Sequence, residues 1–126
     1  MNLLIDTDVV LWWLADDPAL PDGARAVIAS PEHRAFVSAA SAWEIAIWRE
    51  LGELTAPADL RSALLASGFE ELAITLEHAG VADGLPLHHD EPFDRMLVAQ
   101  ARVEELTLVT VEPVFEAYGI DLLLFA

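Results

Sequence analysis

Residues 1–15 read MNLLIDTDVVLWWLA. The run Leu3-Leu4-Ile5 is the pattern of a short buried strand, and the apolar residues from Val9 to Ala15 follow as a helix. Between them stand Asp6 and Asp8, separated by Thr7. Two carboxylates wedged between buried segments are costly unless something neutralises them.

Outward from this unit the pattern repeats. Pro21 starts a helix through Ala29, Ala35 to Val37 forms a strand, and SAASAWEIAIWREL (residues 38–51) is a helix with Trp43, Ile47 and Leu51 at helical spacing. Pro57 opens a helix over Ala58 to Ala66, ended by Gly68, and Glu71 to Ile74 is a strand. A short helix after Leu76 stops near Gly84, Pro92 begins a helix over Phe93 to Glu105, and Thr107 to Thr110 is a strand. Pro113 starts a short helix ending at Tyr118-Gly119, and Asp121 to Phe125 is the last strand. Strands and helices alternating about five times predict an α/β fold, a parallel sheet with helices on both faces, in a single domain over residues 1–126.

Composition narrows the function. At 55% hydrophobic residues the chain can bury a real core, and its longest apolar stretch is far too short to span a bilayer. No signal peptide is read at Met1, and the absence of cysteine excludes disulfides and thiolate metal sites, so the expected location is the cytoplasm. Twenty-two acidic residues face six basic ones, all arginine, for a formal charge of −16. That balance either serves solubility alone or attracts basic partners, and it repels nucleic acid unless cations or local arginines intervene. The missing lysine removes Schiff-base chemistry and the P-loop lysine.

In an open α/β sheet the functional crevice lies beyond the carboxyl ends of the strands. Asp6 ends the first strand, Glu44 sits one turn into the helix after the second, Asp94 lies just after Pro92, and Glu112 follows the Thr107 to Thr110 strand. Each also stands near a helix N-terminus, where a carboxylate serves as a cap; SAWE matches a capping box with Ser41 as cap and Glu44 reaching back. Together, capping alone has a harder task. Like charges ~4 Å apart repel by about 4 kcal/mol per pair at an effective dielectric near 20. Such a cluster either protonates in part or binds a hard cation, and oxygen-only ligation suits Mg²⁺ or Mn²⁺.

LLIDTDVVLWWL, VSAASAWEIAI, LPLHHDEPFDRMLVAQA and LTLVTVEPVFEAYGIDLL occur in the order and approximate spacing of PIN-domain ribonucleases, and the chain resembles VapC-type toxins of bacterial toxin–antitoxin pairs over nearly its whole length. The resemblance implies a three-layer α/β/α fold around a parallel five-stranded sheet and a Mg²⁺- or Mn²⁺-dependent endoribonuclease cleaving structured RNA of the tRNA or rRNA class. It also implies a homodimer held in check by a VapB-like antitoxin. The family's acids fall on Asp6, Glu44 and Asp94, and the fourth, usually aspartate, is Glu112 here. The longer side chain ligates directly or through water. Two other positions depart from the pattern: Trp48 stands where a basic residue often follows EIAI, and Asp8 replaces a commonly neutral or imidazole residue.

On this reading Asp6 and Asp94 are direct ligands, Glu44 and Glu112 act through water or at a second site, and Asp8 caps the Val9 helix or neighbours the metal through water. Thr110 and Thr7 orient water or are turn hydroxyls. Arg95 contacts substrate phosphate or pairs with a nearby acid. His88 and His89 fall in a loop, with packing or substrate contact favoured over ligation because imidazole suits Zn²⁺ more than Mg²⁺. Trp12, Trp13, Trp43 and Trp48 pack in the core or at a subunit interface, with base stacking as the alternative. Two other classes compete. LLIDTDVV fits the first motif of haloacid-dehalogenase-type phosphatases, which need a lysine absent here, and the fold also serves as a non-catalytic binding module.

Overall fold

The computed structural model describes all of residues 1–126. Five strands, β1 (Asn2–Ile5), β2 (Arg34–Ser38), β3 (Glu70–Leu72), β4 (Thr107–Thr110) and β5 (Leu122–Leu124), form one sheet in the order β3-β2-β1-β4-β5. Every pairing is parallel. The connections are helical: α1 (Thr7–Leu14), α2 (Asp22–Ala29), α3 (Ala39–Glu50), α4 (Leu60–Ala66), α5 (Leu76–Asp83), α6 (Pro92–Val103) and a 3₁₀ helix, Pro113–Tyr118. None is long and apolar enough to cross a membrane.

The LLI run behaves as its lack of alternation predicts. Leu3 and Ile5 point to one side, against Val9 and Val10 of α1, Ala24 of α2 and Ile45 of α3. Leu4 points to the other, against Leu97 and Val98 of α6 and Phe115. All three are fully buried, each stabilising the fold by roughly 1.5–3 kcal/mol. β1 is the centre of the sheet, with Leu3 in register with Ala35 on one side and Thr107 on the other. From β1 the chain walks outward through β2 and β3, then returns to place β4 on β1's free edge. The point where strand order reverses therefore lies between the carboxyl ends of β1 and β4.

Local chemistry moves several expected boundaries. α1 begins at Thr7 because Asp6, rather than Asp8, takes the N-cap: its Oδ1 accepts the Thr7 N–H at 2.8 Å. α3 is capped by Ser38, whose Oγ accepts the Ala40 N–H at 3.0 Å, so the box expected from Ser41 and Glu44 does not form. α4 starts at Leu60 because Asp59 caps it through the Ser62 N–H, while the carbonyl of Pro57 accepts from Arg49 at 2.5 Å. On α3 the buried side chains are Ala40, Ser41 and Ile45. Trp43 and Leu51 are instead 64% and 63% exposed, which rules out core packing for Trp43. Trp12 and Trp13 are half-buried against the core, with Trp13 edge-on to Phe69 at 6.0 Å between centroids.

A second buried polar chain links β2, α5 and α6. The Ser38 hydroxyl donates to Gln100 Oε1 at 2.5 Å, and Gln100 Nε2 donates to the Ala73 carbonyl and His78 Nδ1, each at 3.3 Å. His78 Nδ1 also accepts the Thr75 N–H at 3.0 Å, and Nε2 lies 3.0 Å from Glu104. Gln100 and His78 are buried, and each finds its partners within the protein.

Candidate metal centre

The carboxyl end of β1 delivers Asp6 and that of β4 delivers Thr110, on opposite lips of the switch point. Asp6 N–H continues the β1–β4 ladder by donating to the Val109 carbonyl at 3.0 Å. Its carboxylate is held at both oxygens, Oδ1 by the Thr7 N–H and Oδ2 by the Thr110 hydroxyl at 2.6 Å. Thr110 Oγ1 in turn accepts the Glu112 N–H at 3.1 Å, so one hydroxyl sets both acids. Thr7 donates its hydroxyl to Ser41 Oγ at 2.9 Å, tying α1 to the face of α3 that carries Glu44. Both threonines are buried and hold protein groups.

Asp94 enters from the first turn of α6. That turn is fixed by Glu91, the N-cap, whose two oxygens accept the N–H groups of Phe93 at 3.1 Å and Asp94 at 2.7 Å. Asp94 Oδ2 lies 2.8 Å from His89 Nε2. Glu112 stands at the start of the 3₁₀ helix without making a side-chain cap bond. Asp8 is exposed at the rim.

The electrostatics show how closely these groups gather. Burial, with the hydrogen bonds from Thr110 and Thr7 opposing and Glu112 and Asp8 adding repulsion, pushes the Asp6 carboxyl up to about 7. Burial and the charges of Asp6, Glu91, Glu112 and Glu44 push Asp94 up to about 9. Glu44 is raised by burial and by Glu91, Asp8 and Glu112, against a lowering by the Thr7 hydroxyl. Glu112 is raised by burial and Asp8, with His89 opposing. The four acids expected on the rim, Asp6, Glu44, Asp94 and Glu112, are thus brought together, with Asp8 at their edge.

Glu91 and His89 join them. Glu91 caps α6, and its charge also faces the other acids. His89 is one of two adjacent histidines, and sequence gives no sign of which turns inward. Arg95 forms no ion pair with an acid: its guanidinium donates to the carbonyls of Ala82, Leu85 and Pro86 at 3.0 Å and of His89 at 3.3 Å, holding the α5–α6 loop. The other arginines are also engaged elsewhere: Arg25 with Asp16, Arg34 with Glu70, Arg61 with Glu71, Arg49 with Pro57 and Arg102 with the Tyr118 carbonyl. The acids gather without a guanidinium or ammonium among them.

A divalent cation fits these residues. The donors are carboxylate oxygens and one imidazole, and Glu44 Oε1 is buried without a hydrogen-bond partner. One ligand atom from each of His89, Asp94 and Glu112 lies within 4.8 Å of the other two. Asp6 and Glu44 would complete the set around that trio.

A parallel sheet in this order, with acids gathered at its switch point, defines an α/β domain with a carboxylate-lined crevice. The chain belongs to the PIN domain family, whose model matches residues 3–120. Among solved structures it is similar over its full length to VapBC2 from Rickettsia felis bound to a DNA fragment from their promoter, with TM-score 0.73, 14% identity and 100% of each chain covered. It is similar to a toxin–antitoxin complex from Klebsiella pneumoniae, with TM-score 0.66, 17% identity, and 96% of this chain and 95% of that one covered. FitAcB from Neisseria gonorrhoeae follows at TM-score 0.60 and 17% identity, with 95% of each chain covered. No curated protein matches the sequence.

Proposed function

We propose that the chain is a Mg²⁺- or Mn²⁺-dependent endoribonuclease, the VapC-type toxin of a toxin–antitoxin pair, cleaving structured cellular RNA of the tRNA or rRNA class in the cytoplasm. The observation that carries this reading is the convergence of Asp6, Glu44, Asp94 and Glu112 from four chain segments on one switch point without a cationic side chain. Asp6 and Asp94 are the direct ligands on this reading, with Glu44 and Glu112 ligating directly or through water.

A divalent ion held there supplies an activated water and neutralises charge on the scissile phosphate. The protein's own part is positioning. The Thr110 hydroxyl and Thr7 N–H fix the plane of the Asp6 carboxylate, and Glu91 anchors the turn that presents Asp94. With every arginine occupied, phosphate is held chiefly through the cation, so affinity for RNA in general is weak and selection falls to shape.

The partner is a VapB-like antitoxin. The similar structures from R. felis and K. pneumoniae are toxin–antitoxin assemblies by description, and a chain of charge −16 whose acidic crevice lacks its own cation suits a basic partner segment. We expect an antitoxin Arg or Lys to enter that crevice. A homodimer is the proposed assembly, through exposed Trp43 and Leu51 and half-buried Ile47 along α3 and its C-cap. Trp43→Asp should then yield a monomer by light scattering.

The test is to incubate purified, antitoxin-free protein with structured RNAs and with a generic phosphomonoester, with and without Mn²⁺, beside Asp94→Asn. RNA cleavage that requires both Mn²⁺ and Asp94 supports the nuclease. Monoester turnover lost in Asp6→Asn points to a dehalogenase-type phosphatase, and silence on both substrates points to a binding module.

A further inference from the structure

We propose that His89 is a nitrogen ligand of the metal centre, so that the site takes a borderline first-row cation such as Mn²⁺ in preference to Mg²⁺. The proposal rests on reading the carboxylate cluster as a metal centre and adds to it a donor of a different kind.

Placement comes first. His89 is half-buried, with Nε2 2.8 Å from Asp94 Oδ2, and its ligand atom shares a 4.8 Å neighbourhood with those of Asp94 and Glu112. Bond lengths of about 2.0–2.2 Å put two ligands of one ion at most about 4.4 Å apart. Three ligands on one ion stand about 3–3.8 Å apart, so these atoms, each within 4.8 Å of the other two, would draw together by up to about 2 Å to share one ion.

The position is built. The His89 carbonyl accepts from Arg95 and from the Tyr118 hydroxyl, each at 3.3 Å, and the ring stands edge-on to buried Phe115 at 6.4 Å. His88 packs edge-on to Tyr118 at 5.2 Å and is exposed. Adjacent side chains diverge, and the Arg95 clamp decides that His89 is the one facing Asp94.

The chemistry follows from the donor set. Mg²⁺ seeks oxygen, which the carboxylates already supply in excess, whereas an imidazole adds affinity for transition metals. A single histidine among the acids thus shifts selectivity without closing the site.

Electron spin-echo spectroscopy of Mn²⁺ bound to the full chain tests this through ligand nuclei instead of turnover. Nitrogen modulation is expected in the wild-type protein, changing when histidine is ¹⁵N-labelled, vanishing in His89→Gln and persisting in His88→Gln. In parallel, His89→Gln should weaken Mn²⁺ binding by about tenfold or more while altering Mg²⁺ binding less than about threefold. Asp94-dependent Mn²⁺ binding without nitrogen modulation, or modulation that survives in His89→Gln, overturns the assignment of His89 and leaves the metal centre standing. Failure of Mn²⁺ to bind, or binding indifferent to Asp94→Asn, overturns both. The isotope arm reads the wild-type protein, so it decides whether any of the four histidines ligates even if a variant folds poorly, and modulation that persists in His88→Gln but not in His89→Gln assigns it.

Discussion

Two clusters of buried polar groups lie within the same fold, and they are balanced in opposite ways. In the chain from Ser38 through Gln100 and His78 to Glu104, donors meet acceptors inside the protein. At the β1–β4 switch point, acid meets acid: Asp6 and Asp94 are pushed far above the usual carboxylate range, and Glu44 Oε1 has no partner. The first cluster is complete as folded and serves stability. The second is destabilising as it stands, and on the proposed reading a divalent cation would supply its counter-charge from outside.

The contrast predicts opposite responses to mutation. The largest effect is expected for Asp94→Asn: RNA cleavage should fall by about a thousandfold or more, a loss of several kcal/mol of transition-state stabilisation. Without divalent ions at pH 8 the same variant should be as stable as the wild type or more so, because the cost of keeping Asp94 protonated far above its unfolded range is gone. Gln100→Ala should do the reverse. It strands the Ser38 hydroxyl and the Ala73 carbonyl, costing about 2–4 kcal/mol in chemical denaturation, with cation affinity little changed. A loss of stability in Asp94→Asn as large as that in Gln100→Ala would erase the distinction.

The distinction also has a pH dependence. Asp6 and Asp94 hold their protons more tightly folded than unfolded, so between about pH 4 and the folded values near 7 and 9 the native state carries the extra protons. Stability without divalent ions should therefore be full below about pH 4 with respect to these groups and fall as pH rises through 7 toward 9. Thermal denaturation measured across that range should show a shallower fall in Asp6→Asn and in Asp94→Asn. Added Mn²⁺ should stabilise more at pH 8 than at pH 5, since ligation requires the deprotonated carboxylates.

Smaller effects sharpen the picture. Thr110→Val keeps the β4 packing but removes the hydroxyl from Asp6, and should weaken Mn²⁺ binding by roughly tenfold. Asp8→Asn, at the exposed rim, should weaken it only a few-fold, measured by the same titration.

Much of this was legible in the sequence. A bare LLI run and a VT ending, each meeting an acid, announced central strands whose carboxyl ends carry chemistry, and the prolines at 92 and 113 marked the elements that bring Asp94 and Glu112 to the same edge. What escaped depended on long-range choices. His89 faces the acids because Arg95 and Tyr118, 6 and 29 residues away in the chain, grip its carbonyl. Arg95 read as a phosphate contact or a partner of a nearby acid, and the fold gives it four carbonyls and no acid. The α3 stripe of Trp43 and Leu51 had core-like spacing, yet the sheet takes the face carrying Ile45, because Ser41 on that side meets Thr7. Glu91 was not singled out, because only the fold brings its charge up to Asp94.

The most direct measurement is calorimetric titration of Mn²⁺ into the wild type, Asp94→Asn and Gln100→Ala at pH 8. Binding by the wild type and by Gln100→Ala, abolished in Asp94→Asn, is the expected result. Absence of binding by the wild type, or equal binding by Asp94→Asn, would contradict a switch-point cluster completed by a divalent cation.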